Sequence, residues 1–287
     1  MTHARESSAG ALPGVVAITA VSGTAMVAVL ATSLGLMPLY GEPALTGEGW
    51  RAAAPDLLAG VAETLRIALP ATVLAAGIGL ALCALMLRPG RSAVLVRAAC
   101  LVALAVPHLV GATSVGLLLG DGGLGARLLS GVGAEAGWPA LVGGPLPVAT
   151  VLELAWKESA FVALVVLAAV APGHRERVQV AAGLGASPRQ RVTRVLVPTA
   201  LPALAASSLV TLVYAVGSYE VAWLLGRASP EPLPVLAYRL FGSIELDDRA
   251  AAAAAAATGS ALALLLAVPA LVALPRLRAA LASGVGA

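Results

Sequence analysis

Four ionisable side chains lie within or beside long apolar stretches of this sequence, where a charge is costly unless it has a partner or a task. Glu153, Lys157 and Glu158 share one stretch, and Glu220 follows Tyr219 at the end of another. Glu153 and Lys157 are four residues apart, so on a helix we expect them to form an internal ion pair. Glu158 and Glu220, the latter beside Tyr219, are candidates to line a path that favours a cationic or amphoteric solute. A position near a membrane interface explains Glu220 equally well.

The motifs of bond-making chemistry are missing from the sequence. There is no G-x-x-x-x-G-K-[ST] phosphate loop, no His/Cys cluster with metal-ligand spacing, and no G-x-S-x-G elbow around Ser207 and Ser208. The three histidines are far apart, and His108, directly after Pro107, is expected to satisfy the hydrogen bonding of a proline-broken helix. We therefore expect no catalytic residues, no metal site and no cofactor, and we do not expect an enzyme.

The composition indicates a membrane protein. Hydrophobic residues make up 59% of the chain and charged residues only 11%, and the mean hydropathy is +0.93, far from the ~25% charged residues of soluble domains. A bilayer span needs about 20 apolar residues. The sequence predicts an all-α, polytopic fold with six spans, at about 12–40, 67–87, 98–120, 148–171, 200–225 and 250–274. The segment 41–66 is expected to be an external loop.

The distribution of arginine predicts the orientation. If residues 1–11 are a cytoplasmic tail, the inside segments hold eleven arginines and the outside segments six, as the positive-inside rule requires. Both termini and the segment 172–198 are then cytoplasmic. Cys83 and Cys100 fall in different spans, so no disulfide framework is expected. The basic pI needs no nucleic-acid partner, and residues 1–287 are expected to form one transmembrane domain.

The segment 172–198, between the fourth and fifth spans, has the signals of two short helices. Gly185 permits a turn that a Cβ would resist, Ser187 and Pro188 suit the N-cap and first position of a second helix, and Pro198 is expected to end that helix. The apolar stripe of the second helix is expected at Val192, Val195 and Leu196, flanked by Arg191 and Arg194. Such a helix–turn–helix suits docking into a groove of a partner protein; a linker resting on lipid head groups fits these features equally well.

A resemblance separates the two interpretations. The segment resembles the "EAA" coupling loop of the permeases of ATP-binding-cassette (ABC) importers, with the family spacing kept at Gln179, Val180, Ala181, Gly185, Val195, Val197 and Pro198. Residues 184–187 match the LGAS form of such loops. Gln179 replaces the family glutamate, which can pair with a cation on the ATPase subunit, and Val180 replaces the first alanine. Gln179 can only form a hydrogen bond there.

The resemblance implies a function, a location and partners. It implies the permease subunit of a bacterial importer in the cytoplasmic membrane, with separate ABC ATPase subunits, an extracytoplasmic solute-binding protein and a second permease subunit as partners, surrounded by lipid. The residues it assigns to ATPase coupling are Gln179, Ala181, Gly185, Ala186, Ser187, Arg191, Val195 and Pro198. Residues 217–226, 234–238 and 247–251 are similar to permeases for polyamines, aminoethylphosphonate, thiamine and ferric iron. The alternatives are an ion-coupled secondary transporter using Glu158 or Glu220, which would have inverted repeats, and a membrane scaffold that transports nothing.

Overall fold

The structure is a computed structural model that describes residues 3–130 and 137–283, and these residues form helices and connecting turns with no strand. A short π-helical turn at Val192–Leu196 lies between α8 and α9. The helices are α1 (His3–Ser33), α2 (Glu48–Met86), α3 (Arg91–Ala105), α4 (His108–Leu119), α5 (Leu124–Ser130), α6 (Val148–Val170), α7 (His174–Gly183), α8 (Pro188–Arg191), α9 (Val197–Gly217), α10 (Glu220–Leu225), α11 (Leu233–Phe241) and α12 (Asp248–Ser283).

Several helical segments are long and apolar enough to cross a bilayer. Five pass on length and composition, at Pro13–Ser33, Glu48–Met86, His108–Ser130, Pro188–Gly217 and Asp248–Ala273. A sixth is added if α6 and α7, which meet at an angle of 71°, are counted as one broken span. The predicted all-helical, multi-span architecture is therefore confirmed, with five to six candidate spans in the described residues.

Several bounds differ from the sequence-based expectation: α1 ends at Ser33 within the predicted span 12–40, and the predicted span 200–225 is divided between α9 and α10. Two further differences have a clear physical cause. The predicted external loop 41–66 is helical from Glu48 onward, because α2 packs its small residues closely against the alanine-rich start of α12. A Cβ on Gly49 would lie 2.6 Å from the backbone of Ala250, and Ala53 is buried with Ala251 and Ala254. The predicted third span, 98–120, is broken between α3 and α4, where Val106 is extended before Pro107.

The core is centred on α6, which packs along α2 and also contacts α3, α4 and α9. Its buried face carries Leu154, Val162, Val166 and Val170. Small residues on α2 bring the two helices together, since a Cβ on Gly79 would lie 2.7 Å from the Val162 side chain and 3.0 Å from the Ser159 carbonyl oxygen. α6 is therefore fixed within the bundle, and with it the charged side chains that it carries.

The close packing of α2 on α6 gives a first prediction. Gly79→Ala should overpack this contact, which typically costs about 1–3 kcal/mol, and so lower the melting temperature by roughly 2–10 °C. Gly77→Ala, on the same helix, is the matched control because a Cβ there meets nothing within 4 Å. Unfolding can be followed with a thiol-reactive dye, since Cys83 and Cys100 are buried. Equal melting temperatures for the two variants would contradict the packing described.

Candidate functional site

The turn between α7 and α8 is fixed by hydrogen bonds on its first side. Gly185 has a φ of +82°, its N–H donates to the Ala182 carbonyl oxygen at 3.0 Å, and the Ala186 N–H donates to that of Ala181 at 2.9 Å. This pair of bonds is the Schellman motif, with Gly185 at the position that requires a left-handed backbone. A Cβ at Gly185 would meet nothing within 4 Å. Glycine is therefore needed here for backbone conformation and not for space.

The second side of the turn is fixed by a capping box. The Ser187 hydroxyl accepts from the Gln190 N–H at 3.3 Å, and the Gln190 side-chain oxygen accepts from the Ser187 N–H at 2.8 Å. Pro188 occupies the first position of α8. Ser187 is thus the N-cap and Pro188 the first residue of α8, as predicted, whereas the part played by Gln190 was missed although its S-x-x-Q spacing is a sequence signal. The four-residue turn 184–187 is held from both ends.

Pro198 does not end the second helix, contrary to the prediction. The chain continues from α8 through the π turn into α9, and the Val197 N–H donates to the Val192 carbonyl oxygen in the π pattern. The wider turn accommodates the missing N–H of Pro198. The Thr199 hydroxyl donates to the Val195 and Leu196 carbonyl oxygens at 2.8 and 2.9 Å, so these groups are not left unpaired. α8 and α9 are therefore joined without a flexible linker.

The exposed apolar surface of this segment lies on α7 and the turn. Leu196 is buried in the core and Val195 is half-buried, so the predicted stripe does not project, and of its members only Val192 is exposed. Val180 is 65% and Leu184 84% exposed. These two residues are four apart, so they share one side of the α7 end.

The other predicted coupling residues divide between the turn and the base of α9. Gln179, Gly185 and Ser187 are exposed, and Ala181 and Ala186 are half-buried beside them. Arg191, Val195 and Pro198 are half-buried where the chain enters α9. At the start of α7, burial lowers the pKa of His174 and the positive charge of Arg177 lowers it further. The His174 side chain is therefore neutral at neutral pH, and arginine supplies the positive charge of the segment.

A second group of polar side chains lies inside the helix bundle and is centred on His108. Nδ1 of His108 lies 3.3 and 3.4 Å from the two carboxylate oxygens of Glu153, and Nε2 lies 3.4 Å from Oε1 of Glu158. The imidazole thus bridges two glutamates of α6 from the start of α4. Glu153 is fully buried, and a Cβ on Gly111 would lie 2.6 Å from its Oε1. The Glu158 side chain is 12% exposed.

Two residues of α9 complete the cluster. The Thr211 hydroxyl donates to Oε2 of Glu158 at 3.2 Å, and the Tyr214 ring centroid lies 4.8 Å from that of His108. Thr211 is buried, whereas Tyr214 is partly exposed. We call His108, Glu153, Glu158, Thr211 and Tyr214 the His108 cluster. It joins α4, α6 and α9, and its partly exposed members are His108, Glu158 and Tyr214.

The predicted Glu153–Lys157 ion pair is not formed. In the part of the chain that the structure describes, the ion-pair partner of Glu153 is His108, and Lys157 donates instead to the backbone carbonyl oxygens of Ala103 and Val106. The expectation that His108 satisfies the proline-broken helix is also wrong, because Lys157 does so. The spacing of residues along α6 gives no information on backbone carbonyl groups at the end of α3, which accept from Lys157 here.

Glu220 and Tyr219 lie where α9 gives way to α10, and within the described residues they form none of the hydrogen bonds or ion pairs of the His108 cluster. α9 ends at Gly217 and α10 begins at Glu220, with both Tyr219 and Glu220 half-buried. The Tyr219 ring centroid lies 4.3 Å from that of Tyr238 and 6.1 Å from that of Trp223. Of the three predicted path residues, Glu158 is therefore in the cluster, Tyr219 belongs to an aromatic group next to the α9–α10 break, and Glu220 is the first residue of α10.

An ion cluster around the buried Glu63, missed in the sequence, joins three separate segments. The Glu63 carboxylate is 3% exposed and contacts Arg66 at 3.0 Å and Arg227 at 2.5 Å. Arg66 also donates to the Pro145 carbonyl oxygen at 2.9 Å. Arg66 is three residues from Glu63, but the loop assignment of this segment hid their helical spacing, and Arg227 is distant in the sequence. The cluster fixes the segments around 145 and 227 against α2.

The comparisons with known proteins rest on structure alone. No protein-family model matches the sequence, and no curated protein matches it. Among solved structures, a chain of a bacterial alginate ABC transporter, in complex with an alginate-bound periplasmic protein, superposes with a TM-score of 0.72 at 18% identity over 96% of each chain. A chain of an inward-facing methionine ABC transporter gives 0.58 at 21% identity, over 80% of this chain and 98% of that one. A chain of an amino acid ABC transporter gives 0.56 at 20% identity, over 81% and 99%. At these identities the likeness shows a shared fold.

Proposed function

We propose that this chain is the transmembrane permease subunit of an ATP-driven ABC importer in a bacterial cytoplasmic membrane. The observation that carries the proposal is the rigid turn 184–187, closed by the Schellman motif and the capping box and bearing the exposed Leu184. An exposed leucine on a stiff projection gains free energy when a partner's groove covers it, at about 25 cal/mol per Å² of apolar area. The proposed partner is a separate ATPase subunit.

The connection of the turn to α9 supports a coupling role. α8, the π turn and α9 follow one another without a break, so a displacement of the turn is passed to a candidate span. A rigid-body change of this kind is one of the known modes of switching between two states. We therefore assign Gln179, Ala181, Gly185, Ala186, Ser187, Arg191, Val195 and Pro198 to ATPase coupling, with the segment and both termini in the cytoplasm. The likeness in fold to chains of ABC transporters supports this assignment.

The remaining partners follow from the same proposal. The chain pairs with a second permease subunit, and an extracytoplasmic solute-binding protein delivers the solute to the opposite face. Glu158, partly exposed within the His108 cluster, lines the path, and Glu220 and Tyr219 line it nearer its outer end. A lining carboxylate favours a cationic or amphoteric solute such as a polyamine. The chain itself makes and breaks no covalent bond.

Purification of the tagged chain from its native membranes tests the proposal. We expect an ATPase with a phosphate-loop motif to co-purify in near-equal amount, and the complex to hydrolyse ATP in lipid. The ion-coupled transporter is the competing outcome, because buried carboxylates and a histidine also suit proton coupling. A preparation that lacks an ATPase and takes up solute in response to an ion gradient would refute the importer.

A further inference from the structure

The break between α3 and α4 leaves a backbone acceptor without its usual donor. In a continuous helix the N–H of residue 107 would donate to the Ala103 carbonyl oxygen, but residue 107 is proline and has none. The last bond of α3 runs from the Val106 N–H to the Val102 carbonyl oxygen at 3.2 Å, and Val106 then turns to an extended conformation. An unpaired carbonyl group within an apolar bundle is costly.

Lys157 supplies the missing donor from a neighbouring helix. Its ammonium group donates to the Ala103 carbonyl oxygen at 2.5 Å and also to that of Val106. The side chain is 3% exposed. The Ala103 carbonyl oxygen is the acceptor of the missing bond, and the Val106 carbonyl oxygen lies where the chain leaves α3. One ammonium group therefore pairs with both acceptors.

The choice of residue agrees with this role. The chain has 18 basic side chains, and Lys157 is its only lysine. An ammonium group is compact and directs three donors from one point, whereas the planar guanidinium of arginine suits two-point contact with carboxylates. Glu153 and Glu158, the carboxylates nearest in the sequence, both contact His108. In the described ranges, 3–130 and 137–283, Lys157 has no carboxylate within the 4.0 Å of an ion pair.

We infer that Lys157 is a positioning residue: its ammonium group replaces the N–H that Pro107 lacks, and thereby sets His108 between Glu153 and Glu158. His108 is the first residue of α4, directly after the break, so the direction in which the chain leaves α3 decides where the imidazole lies. The consequence for transport rests on the proposed function, in which the His108 cluster belongs to the solute path. The hydrogen-bond substitution itself does not rest on it.

A double-mutant cycle tests the substitution. Lys157→Met keeps the length of the side chain and removes the donor, and should lower the melting temperature of the full chain in lipid nanodiscs by roughly 5–10 °C. Pro107→Ala restores an N–H at position 107, so it should recover at least half of that loss in the Lys157→Met background while changing the otherwise wild-type chain little. Strictly additive effects would overturn the inference, since independent sites add and coupled sites do not.

A spectroscopic measurement separates positioning from stability. The chain has three histidines, so labelling with ¹³Cε1-histidine gives three signals, and His108→Gln identifies one of them. In Lys157→Met the His108 signal should shift while those of His3 and His174 stay in place. In the double variant it should remain shifted, because a straightened helix moves His108 although stability returns. An unshifted His108 signal in Lys157→Met would overturn the positioning role. These measurements need neither ATPase nor solute, so they stand apart from any failure of the importer assignment.

Discussion

Gly185→Pro is expected to abolish co-purification of the ATPase and ATP-driven uptake while leaving membrane insertion intact. Proline fixes φ near −65°, whereas residue 185 has a φ of +82° and its N–H donates to Ala182. The substitution therefore removes a bond of the Schellman motif and redirects the turn. If docking of the exposed leucine accounts for about 3 kcal/mol of the binding free energy, its loss lowers affinity by more than 100-fold. Quantitative mass spectrometry of the purified complex measures the result.

Gly183→Ala is the matched control for this prediction. Gly183 is the last residue of α7, a Cβ there also meets nothing within 4 Å, and its φ is not positive. Alanine at this position favours the helix, so ATPase binding and uptake should be kept. Loss of the ATPase in both variants would mean that any change in the segment disturbs the chain, and retention in both would mean that the ATPase docks elsewhere.

Glu158→Gln is expected to reduce the uptake of a cationic solute by about 10- to 100-fold, because a contact with a charged group is worth ~1.5–3 kcal/mol. Glutamine keeps the size of the side chain and the acceptor for the Thr211 hydroxyl, so the change removes the negative charge and with it the ion pair to His108. Radiolabelled spermidine in cells that express the complete transporter is a suitable probe. ATPase binding should be unchanged, since Glu158 is distant from the turn 184–187 in the sequence and lies on α6.

Glu42→Gln is the control for charge removal outside the cluster, since Glu42 is exposed. It should leave uptake within about twofold of the wild type, because a surface substitution usually changes the free energy by no more than about 0.5 kcal/mol. Unchanged uptake in Glu158→Gln, or an equal loss in both variants, would exclude Glu158 from the path. If the wild-type transporter takes up no amine at all, the solute class is wrong while the importer can still be right.

The features that the sequence predicts well are local ones. Apolar runs of bilayer length predict the all-helical fold, and the order Gly185, Ser187, Pro188 predicts the turn, because helix caps depend on a few consecutive residues. The same locality explains the missed Gln190, whose spacing from Ser187 was present in the sequence. Tyr219 shows the limit, since its aromatic neighbour Tyr238 comes from α11, a different helix from the adjacent α10.

What could not be predicted depends on contacts between distant segments. α2 begins at Glu48 because its glycine and alanine residues fit against α12. A search for charge-free runs does not find this part of the helix, because it contains charged residues. Lys157 was assigned to Glu153 from helical spacing, although the acceptors that bind it lie about fifty residues earlier in α3. Leu196 is buried for the same reason: it belongs to a core cluster with residues of α2, α3 and α6.

Site-directed cross-linking of the exposed leucine tests the central claim most directly. Leu184→Cys places a thiol on the turn, whereas the native Cys83 and Cys100 are buried, so a thiol-to-amine cross-linker reacts at one defined site. Ile244→Cys is the matched control, because Ile244 is 93% exposed and lies on the proposed opposite side of the membrane, between α11 and α12. We predict a cross-link to the ATPase subunit from L184C and none from I244C. An ATPase adduct from I244C, or none from L184C in a complex that still contains the ATPase, would contradict the account.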